Sequence, residues 1–81
     1  MYNRFVTVAE GEGRMDIVSR ISMLYLQRHI EVESLKFMPM ENGLSRYEVV
    51  AVADGMTIKR LMGQLARIEG LQKVDYEIIN I

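Results

Sequence analysis

The chain has no cysteine, no tryptophan, one proline and one histidine. Without cysteine, neither a disulfide nor a thiolate metal site can form. The single histidine, His29, is too few for a typical zinc site, so we predict no metal. Lys and Arg number 10 against 11 Asp and Glu, for a formal net charge of −1. Because the two signs are interspersed, the sequence has no basic footprint for nucleic acid.

The sequence also lacks a long apolar run. None approaches the roughly 20 residues of a membrane-spanning helix, and the amino-terminal residues lack the apolar region of a signal peptide. We therefore expect a cytoplasmic protein without a membrane partner. At 81 residues the chain is predicted to be one domain, 1–81. A domain of this size buries only roughly 60% of its unfolded surface, so we expect a second copy or a partner subunit to support it.

Apolar periodicity predicts four strands and two helices in the order β-α-β-β-α-β. The predicted strands cover 5–8, 30–40, 44–53 and 71–81, and the predicted helices cover 15–28 and 57–69. Asn42-Gly43 predicts a tight hairpin turn, since both residues tolerate positive φ. Gly70 suits the position just after the second helix.

This order predicts an α+β fold of the ferredoxin-like type. Two split βαβ units with right-handed crossovers give a four-stranded antiparallel sheet with both helices on one face. The other face is left bare, and the last strand is apolar. We therefore expect another copy of the chain, or another protein, to cover the sheet face or an edge.

Short motifs spread along the chain occur in a recognisable order. They are Ser19-Arg20-Ile21, Gln27-Arg28-His29, Val32-Glu33-Ser34-Leu35, Gly43-Leu44-Ser45-Arg46, Gln64-Leu65 and Leu71-Gln72-Lys73-Val74. From about Arg4 to Tyr76 the chain resembles the ACT domain of the small, regulatory subunit of acetolactate synthase, in its short form. The resemblance implies a non-catalytic subunit without a cofactor. Such a subunit binds and activates the thiamine-dependent catalytic subunit of acetolactate synthase in branched-chain amino acid biosynthesis.

The resemblance also implies where an effector would bind. In that family the ACT domains form a homodimer through their sheet edges, and valine binds at the interface. A loop between the first strand and first helix, typically Asn-x-Pro-Gly, holds the ligand together with an Asn that begins the second strand of the neighbour. The corresponding positions here are Gly13, Met15, Asp16, Ile17 and Glu31.

These positions depart from the family pattern. Asp16 places a carboxylate where the carboxylate of the ligand should bind, and like charges at about 4 Å repel by roughly 1 kcal/mol even in water. Met15 fills space that a Pro-Gly turn leaves open, and Glu31 replaces the Asn. We predict that ordinary valine binding is lost.

Other patterns carry weaker signals. Gly11-x-Gly13-x-x-Asp16 is a near miss to a dinucleotide-binding loop, but its third glycine is absent and its acids would repel a pyrophosphate. Glu10, Glu12 and Asp16 could hold a hard cation, although solvated loop acids are the favoured interpretation. We interpret His29 as a helix-capping residue.

Two side-chain questions and two functions stay open. Arg46 and Glu48 face one side of the sheet, as an interface ion pair or as a solvated surface. Met62 is predicted to fill the core, and Met38 is either core or an adaptable contact surface. No nucleophile lies at a triad spacing from a base, so we predict no catalytic residue. The alternative functions are a free-standing dimeric ACT sensor, binding another amino acid or a cation between Asp16 and Glu31, and a plain dimerisation module.

Overall fold

The computed structural model describes residues 2–79 and has the predicted order of strands and helices. The elements are β1 (Tyr2–Gly11), α1 (Met15–Gln27), β2 (Glu31–Pro39), a 3-10 turn (Glu41–Gly43), β3 (Ser45–Asp54), α2 (Gly55–Leu65) and β4 (Leu71–Ile79). The last two residues of the predicted final strand lie outside the described range.

The four strands form one sheet in the order β2-β3-β1-β4, and every neighbouring pair is antiparallel. This confirms the predicted ferredoxin-like α+β fold. The two edges of the sheet are β2 and β4. Strict alternation of burial along β1 and β3 shows that the two central strands have one face in the core.

The core lies between that face and the two helices. α1 contributes buried residues at every fourth position, Ile17, Ile21 and Tyr25, and α2 contributes Ile58, Leu61 and Leu65. This spacing keeps one side of each helix on the sheet, because residues four apart share a helix face. The predicted core role of Met62 is confirmed, since its side chain is partly buried against this cluster.

The second helix ends earlier than predicted. It begins at Gly55 because Asp54 caps it, accepting a 2.8 Å hydrogen bond from the backbone N–H of Thr57. It ends at Leu65 and is followed by turns, although Ile68 still packs into the core. The apolar spacing through Ile68 therefore indicated burial correctly but overstated the helix.

The hairpin between β2 and β3 is also longer than a two-residue turn. Asn42 and Gly43 both have positive φ, 68° and 77°, which asparagine tolerates and glycine adopts freely because it has no Cβ. The loop closes through a 2.8 Å bond from the N–H of Met40 to the carbonyl of Leu44. The strong Asn-Gly signal thus located the turn but not its length.

The junction of α1 and β2 is short, although it has three residues, 28–30, where the predicted bounds left one. His29 has a φ of 55°, and its N–H donates to the carbonyl of Leu26 at 3.0 Å. The N–H of Ile30 donates to the carbonyl of Tyr25 at 3.1 Å. This pair of bonds is a Schellman motif, with histidine at the left-handed position where glycine is usual.

The face of the sheet that the helices leave uncovered has an apolar centre. Val6, Val8, Val50 and Val52 from the two central strands are half-buried there. Arg46 and Glu48 share this face, with Arg46 Nη2 at 3.7 Å from Glu48 Oε2 and both side chains partly exposed. A second ion pair joins Arg4 to Glu33 across the strands.

Candidate effector site

The loop that joins β1 to α1 is held in place by an aromatic side chain from β3. The hydroxyl of Tyr47 accepts a 3.2 Å hydrogen bond from the N–H of Arg14 and donates to the carbonyl of Glu12. The Tyr47 ring is buried and stacks on Phe37, with centroids 5.0 Å apart. The loop backbone is therefore anchored to the sheet at two successive polar groups.

Gly13 lies between these two anchors. A Cβ at this position would collide with the hydroxyl of Ser45. Glycine therefore permits the loop to approach β3 closely, and a larger residue would require the Ser45 side chain to move. The predicted site residue Gly13 thus has a packing role that needs no ligand.

The charged side chains of the loop pair with one another. Arg14 Nη1 lies 2.8 Å from Glu12 Oε2, and Arg14 Nε lies 3.1 Å from Asp16 Oδ1. Arg14 Nη2 also donates to the carbonyl of Glu69 at 3.2 Å, which ties the loop to the segment after α2. The guanidinium group of Arg14 thus forms ion pairs with two carboxylates, those of Glu12 and Asp16. The cluster therefore retains a net negative charge.

That charge disfavours an anionic ligand at the start of α1. The amino-terminal end of a helix ordinarily attracts a carboxylate through its free N–H groups and its dipole. Here Asp16 brings its own carboxylate to the first turn, and its side chain is about half exposed. A ligand carboxylate would have to compete with this group for the only cation of the cluster.

The neighbouring predicted site residues point in opposite directions. Met15 is 68% exposed, so its side chain lies on the outside of the helix start. Ile17 is fully buried in the core, and its N–H already donates to the carbonyl of Arg14 at 3.1 Å. The side chain of Ile17 is therefore enclosed by the core rather than available to a ligand.

Glu31 lies at the other end of the sheet. It pairs with Val52 on β3, which in turn pairs with Arg4 near the start of β1, whereas the loop follows Gly11. Seven residues of extended chain separate Arg4 from Gly11, a distance of about 23 Å. The loop and Glu31 of one chain therefore cannot hold the same small molecule.

Sequence reasoning identified the loop but missed the residues that fix it. Arg14 and Tyr47 make the decisive contacts, and neither was singled out. The alternation Glu12-x-Arg14-x-Asp16 was the available signal for the ion cluster. No local pattern indicated Tyr47, because it lies 33 residues from Arg14 in the chain.

A second contact joins two of the sequence motifs. Arg28, after α1, donates from Nε and Nη2 to Oε1 of Gln64 on α2, at 3.0 and 2.7 Å. These two residues are 36 positions apart. The contact fastens the carboxyl-terminal end of α1 to α2, and it is partly shielded from solvent.

Two absences within residues 2–79 bear on the kind of site. Within that range there is no group of three or more His, Cys, Asp or Glu side chains positioned to hold a metal ion. Neither helix of the described chain is long and apolar enough to cross a membrane.

Comparison with known proteins establishes the fold. No known family model matches the chain. The ACT domain of GTP pyrophosphokinase from Chlorobium tepidum superposes with a TM-score of 0.77 at 13% identity, covering 95% of this chain and 100% of that one. The acetolactate synthase small subunit from Thermotoga maritima gives 0.76 at 19% identity, covering 90% of this chain but 46% of that one. The uncharacterized protein TM1266 from Thermotoga maritima gives 0.77 at 18% identity, covering 99% and 100%.

These likenesses define an ACT-like βαββαβ domain. Every identity is low, so the comparisons establish the architecture alone. Function has to be argued from the residues of this chain, because one fold can host many activities.

Proposed function

We propose that the chain is a non-catalytic regulatory subunit that activates the thiamine-dependent catalytic subunit of acetolactate synthase and does not respond to valine. The sequence motifs support the family, and the fold is compatible with it. The observation that supports the proposed insensitivity to valine is the Arg14 cluster. Its contacts with Glu12, Asp16 and the carbonyl of Glu69 are completed within the chain. A loop of this kind needs no ligand to become ordered.

The proposed subunit works as a homodimer paired through β2. An apolar groove of about 370 Å³ runs between α1 and this edge strand. Leu26 on the groove is 65% exposed and Val32 is 41% exposed, an unfavourable arrangement in a lone domain. A bulge between Val32 and Ser34 interrupts β2 near its Glu31 end. Residues 34–39 are therefore the regular stretch of this edge strand that is free for pairing with a second copy.

Pairing of two β2 strands would also bring the two halves of the effector site together. In an antiparallel pair related by a two-fold axis, the Glu31 end of one strand lies beside the Pro39 end of the other. The loop of each chain lies at the Pro39 end, since Pro39 pairs with Ser45 and Ser45 pairs with Gly11. The dimer therefore accounts for an effector site whose parts lie far apart within one chain.

The function is tested by assaying the catalytic subunit with and without the chain, each with and without valine. We expect stimulation by the chain and no inhibition by valine. If the chain does not stimulate the catalytic subunit, the proposed function is wrong. Stimulation that valine abolishes would instead show that the Arg14 cluster opens to admit the amino acid.

The dimer has its own matched test. Leu26→Glu and Met56→Glu introduce the same charge at helix positions that are each 65% exposed. Leu26 lies on the groove beside β2, whereas Met56 lies on α2. We expect Leu26→Glu to produce a 9.4 kDa monomer in sizing chromatography with light scattering, and Met56→Glu to leave the dimer intact.

A free-standing sensor remains the second candidate, because Glu31 could receive the ammonium group of an amino acid other than valine. Thermal unfolding with each of the twenty amino acids at millimolar concentration tests it. Stabilisation by one of them would favour the sensor. If none of the twenty amino acids raises the melting temperature, the sensor is excluded and the activating subunit remains the proposed function.

A further inference from the structure

Although acids and bases are interspersed along the sequence, the fold of this nearly neutral chain segregates them between its two layers. Across 15–28 and 55–69, the helices and the residues that follow them, there are five bases and two acids. The bases are Arg20, Arg28, Lys59, Arg60 and Arg67, and the acids are Asp16 and Glu69. Since the whole chain has a net charge of −1, the remaining residues are acidic on balance. The outer side of the helices is thus the basic side of the molecule.

A groove between the two helices lies within this basic side. Its volume is about 430 Å³, and it is lined from α1 by Ser19, Arg20, Met23, Leu24 and Gln27, and from the end of α2 onward by Gln64, Arg67 and Ile68. No carboxylate lines it. Met23, Leu24 and Ile68 supply an apolar floor, and the two arginines and two glutamines supply the polar rim.

The cations of the rim have no partner of their own within the described chain. Arg20 and Arg67 are exposed, and neither joins any ion pair formed by residues 2–79. Met23, on the floor, is 48% exposed. Floor and rim together match an occupant with an apolar stripe flanked by carboxylates.

We propose that this groove is the docking site for an acidic amphipathic helix of a partner protein. The lining residues from Ser19 to Gln27 span about 12 Å of helix axis, so the groove accommodates roughly two turns of a partner helix. Flexible methionine suits such a floor because it adapts to different side chains. As a surface for the catalytic subunit, the groove rests on the function proposed above.

Nucleic acid is a poorer occupant on the same observations. Phosphate backbones are held by basic surfaces and need no apolar floor. The rim of the groove carries just two cations, Arg20 and Arg67, and its base is closed by apolar side chains. An acidic amphipathic helix would contact both the apolar floor and the arginines of the rim, whereas a nucleic acid would contact only the arginines.

The test uses the full chain labelled with ¹⁵N and two synthetic helical peptides. One peptide carries leucines at i, i+4 and i+7 flanked by glutamates, and the other carries the same leucines flanked by lysines. We expect the acidic peptide to shift the amide signals of 19–27 and 64–68, and the lysine peptide to leave them unchanged. Equal binding of both peptides, or shifts confined to the sheet, would overturn the proposal.

Two charge-reversal variants then separate the groove from a general attraction to the basic side. Arg20→Glu with Arg67→Glu reverses the rim, and Lys59→Glu with Arg60→Glu makes the same change in charge on exposed residues of α2 that do not line the groove. We expect the first pair to weaken peptide binding by about tenfold and the second by about twofold at most. Equal losses would contradict a specific groove.

The remaining outcomes identify a different occupant. Shifts of the same amides on concentrating the chain alone, with no response to the peptide, would assign the groove to a second copy. Shifts caused by a single-stranded oligonucleotide but not by the peptide would assign it to nucleic acid. Either result overturns the proposal. If the peptide binds but the catalytic subunit does not bind the wild-type chain, the groove stands and the acetolactate synthase function fails.

Discussion

Two buried tyrosines should respond oppositely to the loss of their hydroxyl groups. Tyr25 and Tyr47 are each 1% exposed, so their rings contribute similarly to the core. The Tyr47 hydroxyl bonds to the backbone on both sides of Gly13, at Arg14 and at Glu12. The Tyr25 hydroxyl is buried with the side chain of Thr7 as its polar neighbour, but it makes no hydrogen bond of acceptable geometry to any residue in 2–79. Substitution by phenylalanine keeps each ring and removes only the hydroxyl.

The expected magnitudes follow from these contacts. Tyr47→Phe removes two hydrogen bonds at about 0.5–1.5 kcal/mol each, so we expect the free energy of unfolding to fall by about 1–3 kcal/mol. Tyr25→Phe removes a buried polar group that has no partner, so we expect no loss and a gain of up to about 1 kcal/mol. A small domain has a total stability of only about 5–15 kcal/mol, so this difference is measurable.

Urea unfolding followed by far-ultraviolet circular dichroism gives both values, at one protein concentration so that any dimer contributes equally. Hydrogen exchange adds a local measurement. Tyr47→Phe should speed exchange of the Arg14 amide, which loses its acceptor, more than that of amides in the central strands. If Tyr25→Phe destabilised the chain as much as Tyr47→Phe, the assignment of satisfied and unsatisfied hydroxyls would be wrong.

Three further predictions concern single contacts. Burial raises the pKa of Tyr25 from 10.0 to about 12, so the unfolded chain releases this proton first. Stability should therefore fall by about 2–3 kcal/mol between roughly pH 10 and 12, and Tyr25→Phe should remove that part of the decline in urea titrations. His29→Gly should raise stability by about 0.5–1 kcal/mol, because it relieves a left-handed residue in the Schellman motif, and an unchanged melting temperature would contradict this. Arg28→Ala, Gln64→Ala and their combination should give a coupling energy of about 1–2 kcal/mol, since the bond has a charged donor and is partly shielded; strict additivity would mean the contact contributes nothing.

The fold could be predicted from the sequence because its elements have strong local signals. The spacing of Ile17, Ile21 and Tyr25 specifies a helix face without reference to the rest of the chain. Asn42 and Gly43 likewise specify a turn through their own backbone preferences. The ends of the helices and strands were harder to predict, because a side chain can be buried by tertiary packing after the helix has ended. Ile68 is buried by packing on the core, yet the helix before it has already ended, so its apolar side chain indicated a helix that is not there.

The loop could be located from the sequence but not described. Its position follows from the end of a strand and two glycines. Its conformation depends on Tyr47 and on how the guanidinium group of Arg14 is shared between Glu12, Asp16 and the carbonyl of Glu69. Contacts across 33 and 55 residues arise from the register of β1 on β3 and from the return of the chain after α2. The local pattern of a single sequence provides no measure of either.

The loop cluster is tied to the segment that follows the groove residue Ile68 by two hydrogen bonds, from Arg14 Nη2 to the carbonyl of Glu69 and from the N–H of Glu12 to the carbonyl of Gly70. Because the partners of Arg14 lie within the chain, this tie is present without a ligand. A domain with such a loop needs no ligand to hold its groove in this arrangement. An effector could alter the groove only by binding more tightly to one of two arrangements. The carboxylates of Glu12 and Asp16 already occupy the cation that an acidic effector would need. The loop is therefore consistent with the proposed activator without feedback control, and on that proposal restoring feedback would require removing the carboxylate of Asp16 before any change to Met15 could matter.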